Sequence, residues 1–253
     1  MDAGADGKAG WRGCRGRTLL GAAAYGKGDK MVRVLLEEGA TDDVNVLFGG
    51  ERQSALHVAA SWGADDSCRA LMVAGADPNL RDRRQRSPLH LATDAGHHRV
   101  IGSLLLKGSD VDAKTFFGGT PLHLAASESQ ALCISELLLG GADKDAVEDR
   151  GETPLCRAVR NNRLEAVDKL LVAGANHRMR SSGHFSPLEI AADRGHADVV
   201  KALLGKGSTE VNATNDVGRA ALHYAASIDG PVHDNGDAVR LLLGAGADVN
   251  VKT

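Results

Sequence analysis

The stretch Gly118-Gly119-Thr120-Pro121-Leu122-His123-Leu124-Ala125-Ala126 decides how the rest of the chain is read. Taken alone it predicts the start of a helix. Thr120 has the side-chain oxygen of a helix cap, and Pro121 fits the first helical position, where a missing backbone N–H costs nothing. Small and apolar residues follow at helical spacing. The same string then returns along the chain. Aligned on Thr120, units open at Thr18, Ser54, Ser87, Thr120, Thr153, Ser186 and Ala220, and the four intervals from Ser54 to Ser186 are 33 residues each. Four of the six prolines, Pro88, Pro121, Pro154 and Pro187, fall on that spacing.

Each unit keeps one internal order. A short helix opens with Ser/Thr-Pro-Leu-His, and a turn follows with Gly63, Gly96 or Gly195 at the matching place. A second helix carries its apolar face in runs such as Leu137-Leu138-Leu139, Val199-Val200 and Leu203-Leu204. Gly75, Gly108, Gly141, Gly174, Gly207 and Gly246 then stand where a left-handed C-cap would end it. An extended segment such as Ala76-Asp77-Pro78-Asn79 leads to the next cap.

This order, over residues 17–253, resembles the ankyrin repeat, a 33-residue β-turn plus two helices carrying T-P-L-H-x-A. The resemblance implies an all-α repeat protein, an ankyrin-type α-solenoid of stacked helix-turn-helix units with β-turn fingers. Units start near residues 17, 53, 86, 119, 152, 185 and 219, the first being degenerate. Insertions near Thr41-Asp42, near Thr209 and within Ile228 to Asp237 are expected in surface loops. The last helix pair (Leu222, Tyr224, Val239, Leu241, Leu242) has the apolar content of an internal unit, whereas a terminal repeat has a polar outer face. The sequence is therefore expected to be truncated at its C-terminus, or covered there.

Composition agrees with an ordered chain: 43% of its 253 residues are hydrophobic, 25% charged and only 3% aromatic. So few aromatics imply a core of Ala, Leu and Val, as in thin layers of close-packed helices. A net charge of −3 gives no overall footprint for nucleic acid, and none is expected as a partner. No apolar run reaches the roughly 18 residues of a membrane span. Cys14, Cys68, Cys133 and Cys156 form no CxxC pair. Without a signal peptide they read as reduced thiols of an intracellular protein, cytoplasmic or nuclear. Residues 1–16 are Gly-rich with alternating charge and read as a flexible tail.

Signals for chemistry are weak. Gly21-Ala22-Ala23-Ala24-Tyr25-Gly26-Lys27-Gly28 stops one residue short of a phosphate-binding loop, since Gly28 replaces the required Ser or Thr. In register it is simply the first helix and turn of unit one. His57, His90, His123 and His223 share the fourth position of the motif. Stacked helices lie roughly 8–10 Å apart, too far for these side chains to share a metal held at about 2 Å. The resemblance gives these histidines, with Thr120, a structural role as hydrogen-bonded ties between repeats. Cys156 and Glu189 replace the histidine in units five and six, where weaker junctions are expected. Asp229, His233, Asp234 and Asp237 form a polar loop without EF-hand spacing. The sequon Asn212-Ala213-Thr214 is not expected to be glycosylated. No cofactor, metal or catalytic residue is expected.

The resemblance places binding in a concave groove of finger tips and first-helix ends, with an unidentified protein or peptide as partner. In register, the groove takes Tyr25, Trp62, Arg83, Arg84, Arg86, Phe116, Phe117, Glu128, Arg150, Glu152, Arg160, Phe185, Asp193, Arg194 and Arg219. All four phenylalanines (Phe48, Phe116, Phe117, Phe185) fall in fingers, and Tyr224 is the one aromatic expected in the core. For Phe48 and Phe185, packing between fingers competes with partner binding. For the Phe116–Phe117 pair, alternation should expose one of the two. Charge alternates in blocks: Arg81 to Arg86 basic, Asp143 to Glu152 acidic, Arg178 to His184 basic. A partner matching these would carry acidic patches around a basic or apolar centre. The expected function is a non-catalytic protein–protein interaction module, monomeric or part of a larger protein. The alternative is the recognition part of an enzyme or channel whose catalytic or membrane portion lies outside this chain.

Overall fold

The computed structural model describes residues 18–25, 28–205, 211–227 and 235–250. The expected tail, Gly26-Lys27, Gly207, Thr209, most of the seventh unit's inserted loop and residues 251–253 lie outside these. The chain divides into two compact units at Phe116/Phe117. The first contains α1 (Leu19–Ala23), α2 (Asp29–Glu37), α3 (Ala55–Ser61), α4 (Asp65–Val73), α5 (Pro88–Asp94) and α6 (His98–Leu106). The second contains α7 (Pro121–Ser127), α8 (Ala131–Leu139), α9 (Pro154–Arg160), α10 (Leu164–Val172), α11 (Pro187–Asp193), α12 (Ala197–Leu204), α13 (Ala221–Ala225) and α14 (Gly236–Gly244). Among the described residues there is no strand, only an isolated bridge between Phe48 and Gln53.

The opening motif acts locally as its chemistry dictates. Thr120 is extended (φ −89°, ψ 166°), with its hydroxyl 2.9 Å from Nδ1 of His123. The Thr120 N–H donates to that same nitrogen at 3.2 Å. Ser54 and His57 repeat this geometry, as do Ser87 and His90. At Ala220 only the backbone half survives, the N–H donating to His223 at 3.0 Å. Ser/Thr-Pro-Leu-His is thus a complete helix-entry device, with the histidine in the place usually held by Glu or Gln.

Packing follows the 33-residue register inside each unit. In the first, α3 packs on α1, α4 and α5, while α2, α4 and α6 stack in order. In the second, α9 packs on α7, α10 and α11, α11 on α13, and α8, α10, α12 and α14 stack. Leu56, Leu89, Leu122 and Leu155 are fully buried, and so are Ala59, Ala92, Ala125, Ala158 and Ala191. Leucine fills the layer, and alanine lets neighbouring helices approach. Cys68 and Cys133 are buried core residues, and burial pushes the Cys133 thiol up to about 11.

One apolar run corrects the sequence reading. Leu137 is fully buried and Leu138 half-buried, but Leu139 is 83% exposed. Successive helical residues are about 100° apart, so three in a row cannot share one face. Val73, Leu106 and Val172 stand in the same register and are equally exposed.

The repeats are tied by ladders between successive copies. Nε2 of His57 meets the Arg86 carbonyl at 3.1 Å, and Nε2 of His123 meets that of Glu152 at 3.0 Å. A second ladder runs from the interhelical turns to the preceding first helix. His97 Nε2 meets the Ser61 carbonyl at 3.2 Å, and Arg163 Nε donates to that of Ser127 at 2.9 Å. A third is made by loop asparagines. Asn79 donates to the Gly108 carbonyl at 3.0 Å and accepts from the Asp110 N–H at 2.8 Å. Asn212 bonds Gly246 and Asp248 in the same way, so the amide of the sequon is already engaged.

Candidate functional site

The fingers are joined through their backbones. In the first unit Arg83 N–H donates to the Glu51 carbonyl at 2.8 Å, and Phe116 N–H to that of Arg84 at 3.1 Å. In the second, Asp149 N–H donates to the Phe117 carbonyl at 3.2 Å and Ser182 N–H to that of Arg150 at 3.3 Å. With main-chain groups engaged along the row, side chains at the tips are left to face solvent. Phe116 is 70% exposed and Phe117 73%. Both of the adjacent rings are therefore outside, where strand-like alternation had exposed only one. The finger is a turn, and the period-two rule of a strand does not govern it.

At the first-helix ends of the first unit, Tyr25 and Trp62 form a ring pair with centroids 5.2 Å apart, tilted by 55°. They remain 49% and 40% exposed. In the second unit the helix-end positions are charged. Glu128 is exposed and pairs with Arg163 at 3.6 Å, while Asp193 and Arg194 are half-buried.

Four of the expected surface residues belong instead to internal contacts. Glu152 is 6% exposed, bonded to Arg160 Nε at 2.6 Å, with Arg157 3.7 Å away. Arg160 is correspondingly half-buried, its charge spent on Glu152. Arg86 pairs at 2.8 Å with Asp82, whose side chain is fully buried. Phe185 is half-buried against Tyr224, with centroids 5.1 Å apart. Phe48 is also inside at 8% exposure, so Tyr224 is not alone among the aromatics in the core. A Cβ on Gly21 would stand 2.1 Å from the tip of the Phe48 ring. The first glycine of the phosphate-loop-like string thus lies within α1 and makes room for an aromatic ring. Glu148, 5% exposed and 3.0 Å from Arg157, completes the correction: two carboxylates of the acidic block, Glu148 and Glu152, are neutralised internally.

The replaced histidines have substitutes. Glu189, almost fully buried, accepts from Arg180 at 2.8 Å and from the Ser186 N–H at 2.8 Å. Arg180 then donates to the Thr214 carbonyl in the next repeat at 3.1 Å. An ion pair does there what a histidine does elsewhere. At Cys156 only a long contact to the Met179 carbonyl remains, Sγ to oxygen 3.9 Å, and burial pushes the thiol pKa up.

A family model described as ankyrin repeats, in three copies, matches residues 3–82, 56–147, 89–181 and 169–253. The chain belongs to the ankyrin repeat family. Over 73 residues it is 37% identical to the ANK repeat-containing protein nipk-1 of Caenorhabditis elegans, a match covering 26% of this chain and 12% of that protein. The crystal structure of the human ASB11 ankyrin repeat domain matches with a TM-score of 0.77. That match covers 92% of this chain and 99% of the human one at 24% identity, which speaks for the fold alone. Ankyrin repeats are in general protein–protein interaction modules and are typically non-catalytic. Among the described residues of this ankyrin-repeat chain, no helix is long and apolar enough to cross a membrane. No three His, Cys, Asp or Glu side chains among them gather as a metal site.

The remaining surface positions of the ankyrin fingers are Arg83, Arg84, Arg150 and Arg219, all exposed. Arg84 pairs with Glu51 at 3.3 Å, and Arg219 lies 6.0 Å over the Tyr224 ring. Among the described residues, the guanidinium of Arg83 meets no carboxylate. Sequence register could find these positions, but it could not tell which charges are neutralised from behind.

Proposed function

We propose that this ankyrin-repeat chain binds a protein partner through its finger tips and first-helix ends, without catalysis of its own. The observation that carries the reading is the exposure of Phe116 and Phe117, at 70% and 73%, on fingers whose backbones are already bonded to their neighbours. A large ring that gives the fold so little burial is placed where a partner can desolvate it. The Tyr25–Trp62 pair supports the same reading at the helix ends, since Trp, Tyr and Arg are the residue types that dominate binding hot spots. Buried Glu152 with its half-buried partner Arg160, and half-buried Phe185 against Tyr224, support the fingers of the second unit from within.

The test is retention of partners from an extract by the immobilised full chain, with Trp62→Ala and Phe117→Ala compared with the parent. Each substitution should leave circular dichroism and Tm in place and weaken retention about 30-fold, the equivalent of a hot spot near 2 kcal/mol. A sharp fall in Tm for both would make them structural residues and end the proposal.

A further inference from the structure

The fingers of the first unit hold an uneven charge that sequence blocks obscure. At residues 49–53, 81–86 and 114 the finger tips carry Arg52, Arg81, Arg83, Arg84, Arg86 and Lys114 against Glu51 and Asp82, with Asp77, Asp110 and Asp112 in the adjoining loop segments, in a chain whose net charge is −3. Asp82 is fully buried and spent on Arg86. Glu51 lies 3.3 Å from Arg84 and 3.9 Å from Arg86, so one carboxylate serves two guanidiniums. Arg81 faces Asp110 at 3.6 Å. Arg52 and Arg83 are exposed, with no carboxylate partner among the described residues, and Phe116 stands exposed on the following finger. In the acidic block of the second unit, Glu148 and Glu152 are buried on Arg157 and Arg160, which leaves Asp143 and Asp149 as its exposed carboxylates.

We propose that the first-unit fingers bind an acidic linear segment of a partner protein, Asp/Glu-rich with a large apolar side chain. Its carboxylates meet Arg52, Arg83 and Arg84, and its apolar side chain covers Phe116. This rests on the reading of the finger tips as a partner surface and supplies its chemistry. Charge complementarity carries the choice of occupant. A basic partner would meet unpaired guanidiniums, while a neutral one would leave them desolvated without compensation. Extended chain rises about 3.3 Å per residue and stacked helices lie roughly 8–10 Å apart, so about three residues separate successive fingers. A segment of roughly six to eight residues therefore spans all three. At this spacing its carboxylates and its apolar side chain can each reach a separate finger.

The experiment uses the full chain and three labelled probes of about 12 residues. One is Glu/Asp-rich with Leu or Phe at every third position, one is its Lys/Arg counterpart, and one is single-stranded oligothymidylate. The acidic peptide should bind best, and its affinity should fall as salt rises past the point where the Debye length is about 8 Å. The double reversal Arg52→Glu/Arg83→Glu should weaken it at least tenfold with an unchanged Tm, and Phe116→Ala should weaken it as well. Preference for the basic peptide, still lost in Phe116→Ala, overturns the acidic chemistry and leaves the surface reading standing. Acidic-peptide binding that ignores both the Arg reversal and Phe116→Ala overturns both. Tighter binding of oligothymidylate, or no binding by any probe, overturns the acidic-segment proposal.

Discussion

Nε2 of His57 lies 3.1 Å from the carbonyl oxygen of Arg86, one repeat further along the chain. That oxygen can only accept, so the ring proton sits on Nε2. Nδ1 then faces the Ser54 N–H at 3.2 Å, which can only donate. A second ring proton would confront that N–H. Burial pushes the His57 pKa down to about 4 against the opposing pull of the Arg86 carbonyl.

The pH dependence follows in sign. Above about pH 6.5 the ring is neutral in the folded and unfolded chain alike, and its full contribution is present. Below that, the unfolded chain takes up a proton that the folded chain refuses. Stability is lost as pH falls toward 4, by up to about 1.4 kcal/mol per pH unit. In urea unfolding series, the stability difference between the parent and His57→Gln should shrink by about 1 kcal/mol or more from pH 6.5 to pH 5. A difference that stays constant would show that the folded ring accepts its proton normally.

The Arg180–Glu189 pair offers a repair experiment. Glu189 has a side chain 2% exposed, so removing Arg180 leaves a buried carboxylate with little beyond the Ser186 N–H and cuts the bond to Thr214. Arg180→Ala should cost about 3 kcal/mol in unfolding free energy. Adding Glu189→His removes the stranded charge and installs the residue used at His57 and His123. The double variant should recover more than half of the loss in urea melts. Additive losses would mean that the two side chains do not replace the histidine tie.

Leu137 and Leu139 separate what the sequence made legible from what it hid. The helix pairs, their caps and the histidine tie were legible because one residue type recurs at one register position. The second ladder was not, because His97 and Arg163 reach equivalent carbonyls with different chemistry. Glu152 looked like a surface charge because its burial depends on Arg160, eight residues on. Leu139 looked like core because a run of three leucines conceals the helical turn. Leu137→Ala should cost about 3 kcal/mol as a buried cavity, while Leu139→Glu, at an 83% exposed site, should stay within about 0.5 kcal/mol. Equal losses in thermal and urea melts would place Leu139 in a packed contact.

Ser129 and Gly63 occupy the same turn position in different repeats, and both are left-handed, at φ +59° and +68°. Asn162, Gly96 and Gly195 share that register, so the backbone keeps the conformation whichever residue stands there. At Gly63 the shape is enforced by a neighbour, since a Cβ would lie 2.6 Å from Nδ1 of His97. That ring is held by its Nε2 contact with the Ser61 carbonyl. Gly63→Ala therefore combines left-handed strain of about 1 kcal/mol with displacement of a ladder rung, and should cost about 2 kcal/mol in all. Ser129→Gly runs the other way. It removes the strain, gives back part of the gain to the freer unfolded chain, and should stabilise by about 0.5 kcal/mol. Asn162→Gly should gain less, because Asn tolerates the left-handed region. Urea midpoints of the three variants check the order, and a destabilised Ser129→Gly would mean that the serine side chain, not the backbone, holds that turn.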